Sequence, residues 1–113
     1  MERQAVEWEL LGMAHYLVKA RPPANLDALR EQLDSGVIEQ MRPFGSELNQ
    51  ALRNARIDPD GWAVWEENCY CSPPLAQERA AVLDHYFTDL STETLNKGEG
   101  WAQIEHLPSL WEA

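Results

Sequence analysis

Residues 61–71 have the sequence GWAVWEENCYC, and this stretch decides the predicted fold. Its aromatic residues and its lack of helix-capping signals favour a β-strand. Successive side chains of a strand lie on opposite faces, so Trp62 and Val64 share one face while Trp65 and Cys69 share the other. Because both faces carry apolar groups, we predict an interior strand that is covered on each side.

A near copy of the first six of these residues occurs further along the chain. Residues 100–105 are GWAQIE, against GWAVWE at residues 61–66, so we predict a second strand over residues 100–107. Two other segments, KARPP and CSPP, each lead through prolines into a predicted helix. Together the pairs predict an α+β domain with a ferredoxin-like fold, in which helices cover one face of an antiparallel sheet of about three to four strands.

Three segments carry helix signals. The first covers residues 25–35, with an asparagine as N-cap and a glycine directly after it. The second begins at Ser46, carries apolar residues at helical spacing and ends before Pro59. The third begins at Ser72, and its apolar side chains, which continue to Leu90, predict a lid over the core.

The segment from residue 5 to residue 20 fits two periodicities. Val6, Leu10 and Met13 have helical spacing, whereas residues 6–10 alternate between polar and apolar as a strand does. The alternation shifts phase at Gly12, which is typical of a β-bulge. A strand here completes the ferredoxin-like fold, and a helix gives instead a mostly α domain with one hairpin.

Length and charge restrict the class of protein. Its 113 residues predict one domain, residues 1–113. Nineteen acidic residues against nine basic ones give a formal charge of −10, which disfavours nucleic acids and anionic membranes as partners. No stretch is apolar for long enough to span a membrane, and Cys69 and Cys71 are poorly spaced for a disulfide. We therefore expect an acidic cytoplasmic protein.

The chain contains five tryptophans, which is many for its length: Trp8, Trp62, Trp65, Trp101 and Trp111. A small domain has little interior for so many indoles, and large aromatics are enriched at interfaces. We therefore expect these residues at an interface, either in a homodimer or with another protein. A non-catalytic, homo-oligomeric interaction or regulatory protein is the leading functional prediction.

The alternative prediction is a small-molecule-binding protein or an acid–base enzyme that acts on an anionic ligand in a cleft between sheet and helices. Glu66 and Glu105 occupy matching places in the two similar hexapeptides, and His106 follows the second, so these three are the candidate catalytic residues. Arg42 and Ser46, next to a predicted helix start, are the candidates for binding an anion. Exposed carboxylates and an ordinary capping serine explain the same residues without any site.

Metal and cofactor signals are weak. Cys69, Cys71 and His106 are possible soft ligands, but their spacing matches no known zinc motif and free cysteines commonly pack in cores. The sequence has no phosphate-binding loop and no dinucleotide fingerprint. We therefore predict no cofactor.

Overall fold

The structure, a computed structural model, describes residues 14–69 and 72–112. Within them four strands form an antiparallel sheet: β1 (Ala14–Arg21), β2 (Arg56–Ile57), β3 (Ala63–Cys69) and β4 (Thr88–Leu95). Their order across the sheet is β2-β3-β1-β4. The predicted α+β class is confirmed, while its finer description as ferredoxin-like stays a prediction. The mostly helical alternative is wrong for residues 14–20, which belong to β1; residues 5–13, with the proposed bulge, lie outside the described residues.

The helices frame this sheet. Their bounds are Asp27–Ser35 for α1, Gly45–Arg53 for α2 and Glu99–Ile104 for α4, and a short 3-10 helix covers Leu110–Glu112. Between β3 and β4 three consecutive helical segments, Ala76–Glu78, the π-helical turn Arg79–Leu83 and Asp84–Tyr86, are together called α3.

The first two predicted helices are present nearly as expected. The Asn25 side chain accepts the N–H of Asp27 at 2.8 Å, and α1 ends at Gly36, whose φ of 86° is left-handed. The third helix begins at Ala76 rather than at Ser72 and ends at Tyr86. Its predicted last turn belongs instead to β4.

The predicted strand over residues 100–107 is wrong, because residues 99–104 form α4. Gly98 has a φ of 84° and turns the chain into this helix. The carboxylate of Glu66, on β3, accepts backbone N–H groups of its first turn. Two similar hexapeptides thus adopt different structures, and the carboxylate that ends the first accepts hydrogen bonds at the start of the helix that the second forms.

The core lies on one face of the sheet. Val18 of β1 pairs with Trp65 of β3, and both are fully buried against leucines from α1, α2 and α3. On the opposite face of β3, α4 covers Glu66. The prediction that β3 is an interior strand is therefore confirmed, and helices contact both faces of the sheet rather than one.

The start of α2 packs closely against the preceding turn. A Cβ atom on Gly45 would lie 2.3 Å from the carbonyl oxygen of Ile38 and 2.8 Å from that of Glu39. These neighbours are backbone atoms, which cannot rotate away as a side chain can. Only glycine therefore fits at this position.

The segment after α4 packs on its own chain. The carbonyl of Pro108 accepts the N–H of Ile57 at 3.0 Å, and the carbonyl of Ala55 accepts the N–H of Leu110 at 2.9 Å. The Trp111 indole donates to the carbonyl of Leu52 at 2.7 Å. This segment thus extends the sheet beyond β2. Within residues 14–69 and 72–112, every helix is too short or too polar to cross a lipid bilayer.

Candidate functional site

Glu66 and Glu67 are neighbours on β3, so their side chains lie on opposite faces of the sheet. Both are buried. The carboxylate of Glu66 accepts the N–H of Gly98 at 2.8 Å and that of Trp101 at 3.1 Å, and its Oε2 lies 3.6 Å from Nδ1 of His15. Its oxygens thus satisfy amide groups at the start of α4 that the helix itself leaves without acceptors.

The hydrogen bonds between Glu66 and the start of α4 depend on the close approach of α4 to β3. A Cβ atom on Gly100 would lie 3.0 Å from Oε1 and 3.1 Å from Cβ of Glu66. Any larger residue at this position would push the carboxylate away from the helix. Glu66 therefore acts first as the anchor of α4.

We predict that Glu66→Gln lowers the free energy of unfolding by about 1–3 kcal/mol, measured by urea denaturation. The amide keeps the shape of the side chain but replaces one accepting oxygen with an N–H₂ group that faces backbone donors. Glu105→Gln is the matched control, because Glu105 holds the same place in the second hexapeptide and is exposed. Equal losses in the two variants would contradict the anchoring role of Glu66.

Glu67 lies on the core face in a different environment. Its Oε1 accepts the indole N–H of Trp65 at 2.9 Å, whereas its Oε2 has no hydrogen-bond partner among the described residues. Burial, against the lowering effect of the Trp65 hydrogen bond and with smaller contributions from the nearby carboxyls of Glu78 and Glu47, raises the pKa of Glu67 to about 8. Glu67 is therefore mainly protonated and neutral at pH 7.

A second buried carboxyl comes from α3. Glu78 is only 2 % exposed, and its Oε1 accepts a hydrogen bond from the thiol of Cys69 at 3.7 Å. Cys69 shares a face of β3 with Glu67, two residues apart. The core face of this sheet end therefore carries two carboxyls and a thiol where apolar side chains are the rule.

Next to these groups is a cavity of about 310 Å³ between β3, α2 and α3, which we call the acidic cavity. Its lining residues are Pro43, Phe44, Glu47, Asn68, Cys69, Gln77 and Glu78. At its rim, the Asn68 side-chain amide donates to Oε2 of Glu47 at 3.2 Å. An apolar wall thus faces a small set of polar groups, the composition common in ligand sites.

Two other cavities adjoin this one. A smaller cavity of about 150 Å³ contains His15, Glu66, Lys97 and Trp101, and it shares Glu47 and Asn68 with the acidic cavity. A larger groove of about 580 Å³ runs between α2 and α4. Most of its side chains are exposed, so water already solvates them and a ligand gains less there.

The predicted catalytic residues do not come together. Glu105 and His106 are exposed at the end of α4, whereas Glu66 is buried at its start. The residue that the fold brings to Glu66 is His15, from the neighbouring strand. The reason for pairing Glu66 with Glu105 does not hold, because Glu66 lies on β3 whereas residues 100–104 are helical, so the two hexapeptides are not equivalent.

The predicted anion-binding residues do not line the acidic cavity. Arg42 is exposed and donates to the carbonyl of Gln40 at 3.2 Å, and Ser46 is exposed on the first turn of α2. Their neighbours Pro43 and Phe44 are the residues that line the cavity. Of the predicted metal ligands, Cys71 lies outside the described residues and His106 is exposed. Among residues 14–69 and 72–112, no group of three or more His, Cys, Asp or Glu side chains could hold a metal ion.

The described tryptophans differ in burial and in their contacts. Trp65 is fully buried with its ring 5.1 Å from that of Phe87, so it cannot contact a partner. The guanidinium of Arg21 lies 3.7 Å from the centre of the Trp62 ring, and Trp111 packs on its own chain. Trp101 is half-buried and Trp8 lies outside the described residues. The interface prediction is therefore wrong for Trp65 and stays a prediction for Trp62, Trp101 and Trp111, which are partly exposed.

Several residues of the site were missed from the sequence, among them His15 and Glu78. Glu78 has a readable signal, because it falls between Leu75 and Val82 on the apolar stripe of the third predicted helix. His15 has none, since its contact with Glu66 depends on the pairing of β1 with β3.

Comparisons of the chain with protein-family models, with curated proteins and with solved structures each give no match.

Proposed function

We propose that this protein binds a small organic molecule in the acidic cavity. The observation that carries the proposal is the juxtaposition of a half-enclosed apolar wall, Pro43 and Phe44, with the buried polar groups of Cys69 and Glu78. Ligand sites in proteins typically combine these two features, the apolar wall for affinity and the polar groups for orientation.

The size of the acidic cavity limits its ligand. About 310 Å³ is at the lower end of the range of ligand pockets, which begins at roughly 300 Å³. A molecule with one ring and a short polar substituent suits this volume. Placing the ring on Phe44 leaves the substituent directed toward the carboxyl of Glu78.

Burial of polar groups supports a binding role over simple packing. An apolar side chain at position 78 would continue the stripe of α3 and stabilise the core without desolvating a carboxyl. The same holds for Glu67, whose Oε2 lacks a partner among the described residues. Buried polar groups that lower the stability of the fold and cluster beside a cavity are typical of functional sites.

The test is a fragment screen observed by NMR on the ¹⁵N-labelled protein. We expect single-ring fragments to shift the amide signals of Phe44, Asn68 and Gln77, and we expect Phe44→Ala to weaken their binding roughly tenfold, since a lost aromatic contact costs about 1.4 kcal/mol. Tyr86→Ala is the matched control, because Tyr86 is also a half-buried aromatic but does not line the cavity.

Two results would count against the proposal. One is a screen in which no fragment shifts the three reporter amides. The other is a set of binders whose affinity falls equally in Phe44→Ala and Tyr86→Ala, which would indicate a general loss of stability.

Self-association, the function favoured by the tryptophan content, stays a prediction from the sequence. The described tryptophans contact their own chain and so lend it no support. Light scattering over a range of concentrations measures it directly.

A further inference from the structure

We infer that the groove between α2 and α4, together with the small cavity that adjoins it, binds a carbohydrate through the hydroxyl groups of a sugar ring. Groove and small cavity form one site, because Glu47, Gly98 and Trp101 line both. This site shares only Glu47 and Asn68 with the acidic cavity, so the inference goes beyond the proposed function and does not rest on it.

The polar lining of the groove matches hydroxyl groups better than it matches a charged ligand. Its polar side chains are those of Glu47, Gln50, Asn54, Arg56 and Glu105. A sugar hydroxyl both donates and accepts hydrogen bonds, side-chain amides do the same, carboxylates accept and a guanidinium donates. Such a set can serve several hydroxyls of one ring. A cation or an anion would instead meet side chains of both signs.

Two of these side chains are already held in place. The guanidinium of Arg56 donates to the carbonyl of Leu107 at 2.7 Å, and the side-chain amide of Asn54 donates to the carbonyl of Gln50 at 2.9 Å. These bonds leave the amide oxygen of Asn54 and the other N–H groups of Arg56 for a ligand. Polar groups that are oriented before binding lose less entropy when the ligand arrives.

Trp101 supplies the apolar surface that a sugar also needs. Its half-buried indole lines both the groove and the small cavity. The C–H groups of a pyranose give the ring an apolar face, and an indole is a large flat surface on which that face can pack. Water solvates the exposed groove, which disfavours a purely apolar ligand. A sugar suits it, because the side chains replace the water that its hydroxyls give up.

The small cavity adds a second, independent observation. Glu67 lines this cavity and is only 1 % exposed, and its Oε2 has no hydrogen-bond partner within residues 14–69 and 72–112. Glu67 is mainly neutral at pH 7, and its Oε1 accepts the indole N–H of Trp65, so the carboxyl proton is on Oε2. A buried donor without an acceptor lowers stability. A ligand hydroxyl in the small cavity would accept this proton.

The two volumes set the orientation of the ligand. The groove, about 580 Å³, lies in the range of ligand pockets, roughly 300–1,000 Å³, whereas the small cavity has about 150 Å³. The ring therefore belongs in the groove against Trp101, and one hydroxyl-bearing arm belongs in the small cavity beside Glu67. The remaining hydroxyls then face the side chains of Asn54 and Arg56.

The experiment is a titration of the ¹⁵N-labelled protein with D-glucose, D-galactose, D-mannose, maltose and cellobiose, observed by NMR. We expect at least one of these sugars to shift the amide signals of Asn54 and Gly98 and the indole signal of Trp101. Cyclohexanol, a ring with a single hydroxyl, should bind at least roughly tenfold more weakly than that sugar, because it lacks most of the hydrogen bonds. Glucosamine, which adds a positive charge to glucose, should bind about as tightly as glucose.

Two glutamines on the surface form a matched pair of variants. Gln50→Ala removes an exposed amide that lines the groove and should weaken sugar binding severalfold. Gln40→Ala removes an exposed amide that does not line the groove, and it should leave the affinity unchanged. Equal affinities in the two variants would show that the sugar binds elsewhere.

Variants of Glu67 test the small cavity. Glu67→Gln keeps a donor in the N–H₂ group and should retain most of the affinity, whereas Glu67→Met has a similar length without a donor and should weaken binding roughly tenfold. An unchanged affinity in Glu67→Met would contradict the placement of a hydroxyl beside Glu67.

Failure of this inference is distinct from failure of the proposed function. If no sugar shifts the three reporter signals, the inference is wrong, whatever fragments bind near Phe44 and Gln77 in the acidic cavity. It is also wrong if cyclohexanol binds as tightly as the sugars, or if glucosamine alone binds, since the groove would then select an apolar ring or a cation. Sugar binding without any fragment in the acidic cavity would support this inference and remove the proposed function.

Discussion

Gly45→Ala is expected to lower the free energy of unfolding by about 3 kcal/mol or more, measured by urea denaturation. The added Cβ atom would lie 2.3 Å from the backbone oxygen of Ile38 and 2.8 Å from that of Glu39. Because both contacts are with backbone atoms, the start of α2 or the preceding turn has to move. Phe44, which lines the acidic cavity, would move with it.

The direction of this effect separates packing from helix propensity. Alanine is a better helix former than glycine by up to about 1 kcal/mol, so propensity alone predicts that Gly45→Ala stabilises α2. Ser46→Ala, at the next and exposed position, serves as the control and should change stability by less than about 0.5 kcal/mol. A stable Gly45→Ala protein would mean that the close approach of the turn to α2 is absent.

Glu67→Gln is expected to remove a large pH dependence of stability. Burial raises the pKa of Glu67 from 4.5 to about 8, so between these values the folded chain holds a proton that the unfolded chain has lost. Raising the pH through this window therefore favours unfolding, by roughly 1.4 kcal/mol per pH unit and about 5 kcal/mol in total. Above the folded pKa both states are ionised and the effect levels off.

The measurement is the free energy of unfolding of both proteins from about pH 5 to pH 9, with the difference between the two curves as the readout. Near the lower limit the two proteins should differ little, because Glu67 is protonated and glutamine resembles it in shape and charge. Near the upper limit the variant should be the more stable. Other titrating groups cancel in the difference, so parallel curves would show that Glu67 ionises normally.

Local signals predicted part of the fold correctly. The capping residues and leucine stripe of α1, the apolar spacing of α2 and the aromatic alternation of β3 are all properties of short segments. The errors at residues 88–90, predicted as the end of a helix, and at residues 100–107, predicted as a strand, have a different origin. Residues 88–95 alternate polar side chains with threonines, a pattern that favours a strand, but the apolar run before them suggested a continuing helix.

Contacts between distant residues account for what the sequence left undetermined. The six-residue helix α4 is too short to be stable alone, and its first turn is held by Glu66, 32 residues earlier in the chain. The neighbours of Glu66 follow from strand pairing, which brings His15 beside it. Of the three candidate catalytic residues only Glu66 is buried. The acidic cavity could not be predicted from local patterns, because it requires the packing of α2 against α3.

The pairing of the central strand has a consequence for the kinetics of folding. Ala20 of β1 pairs with Ala63 of β3, and His15 of β1 pairs with Leu95 of β4. Both neighbours of β1 in the sheet are therefore more than forty residues away along the chain. Closing loops of this length lowers the entropy of the chain before the contacts within the sheet can stabilise it. The rate at which the domain forms is therefore governed by long-range encounters, and it should be slow for a protein of this size.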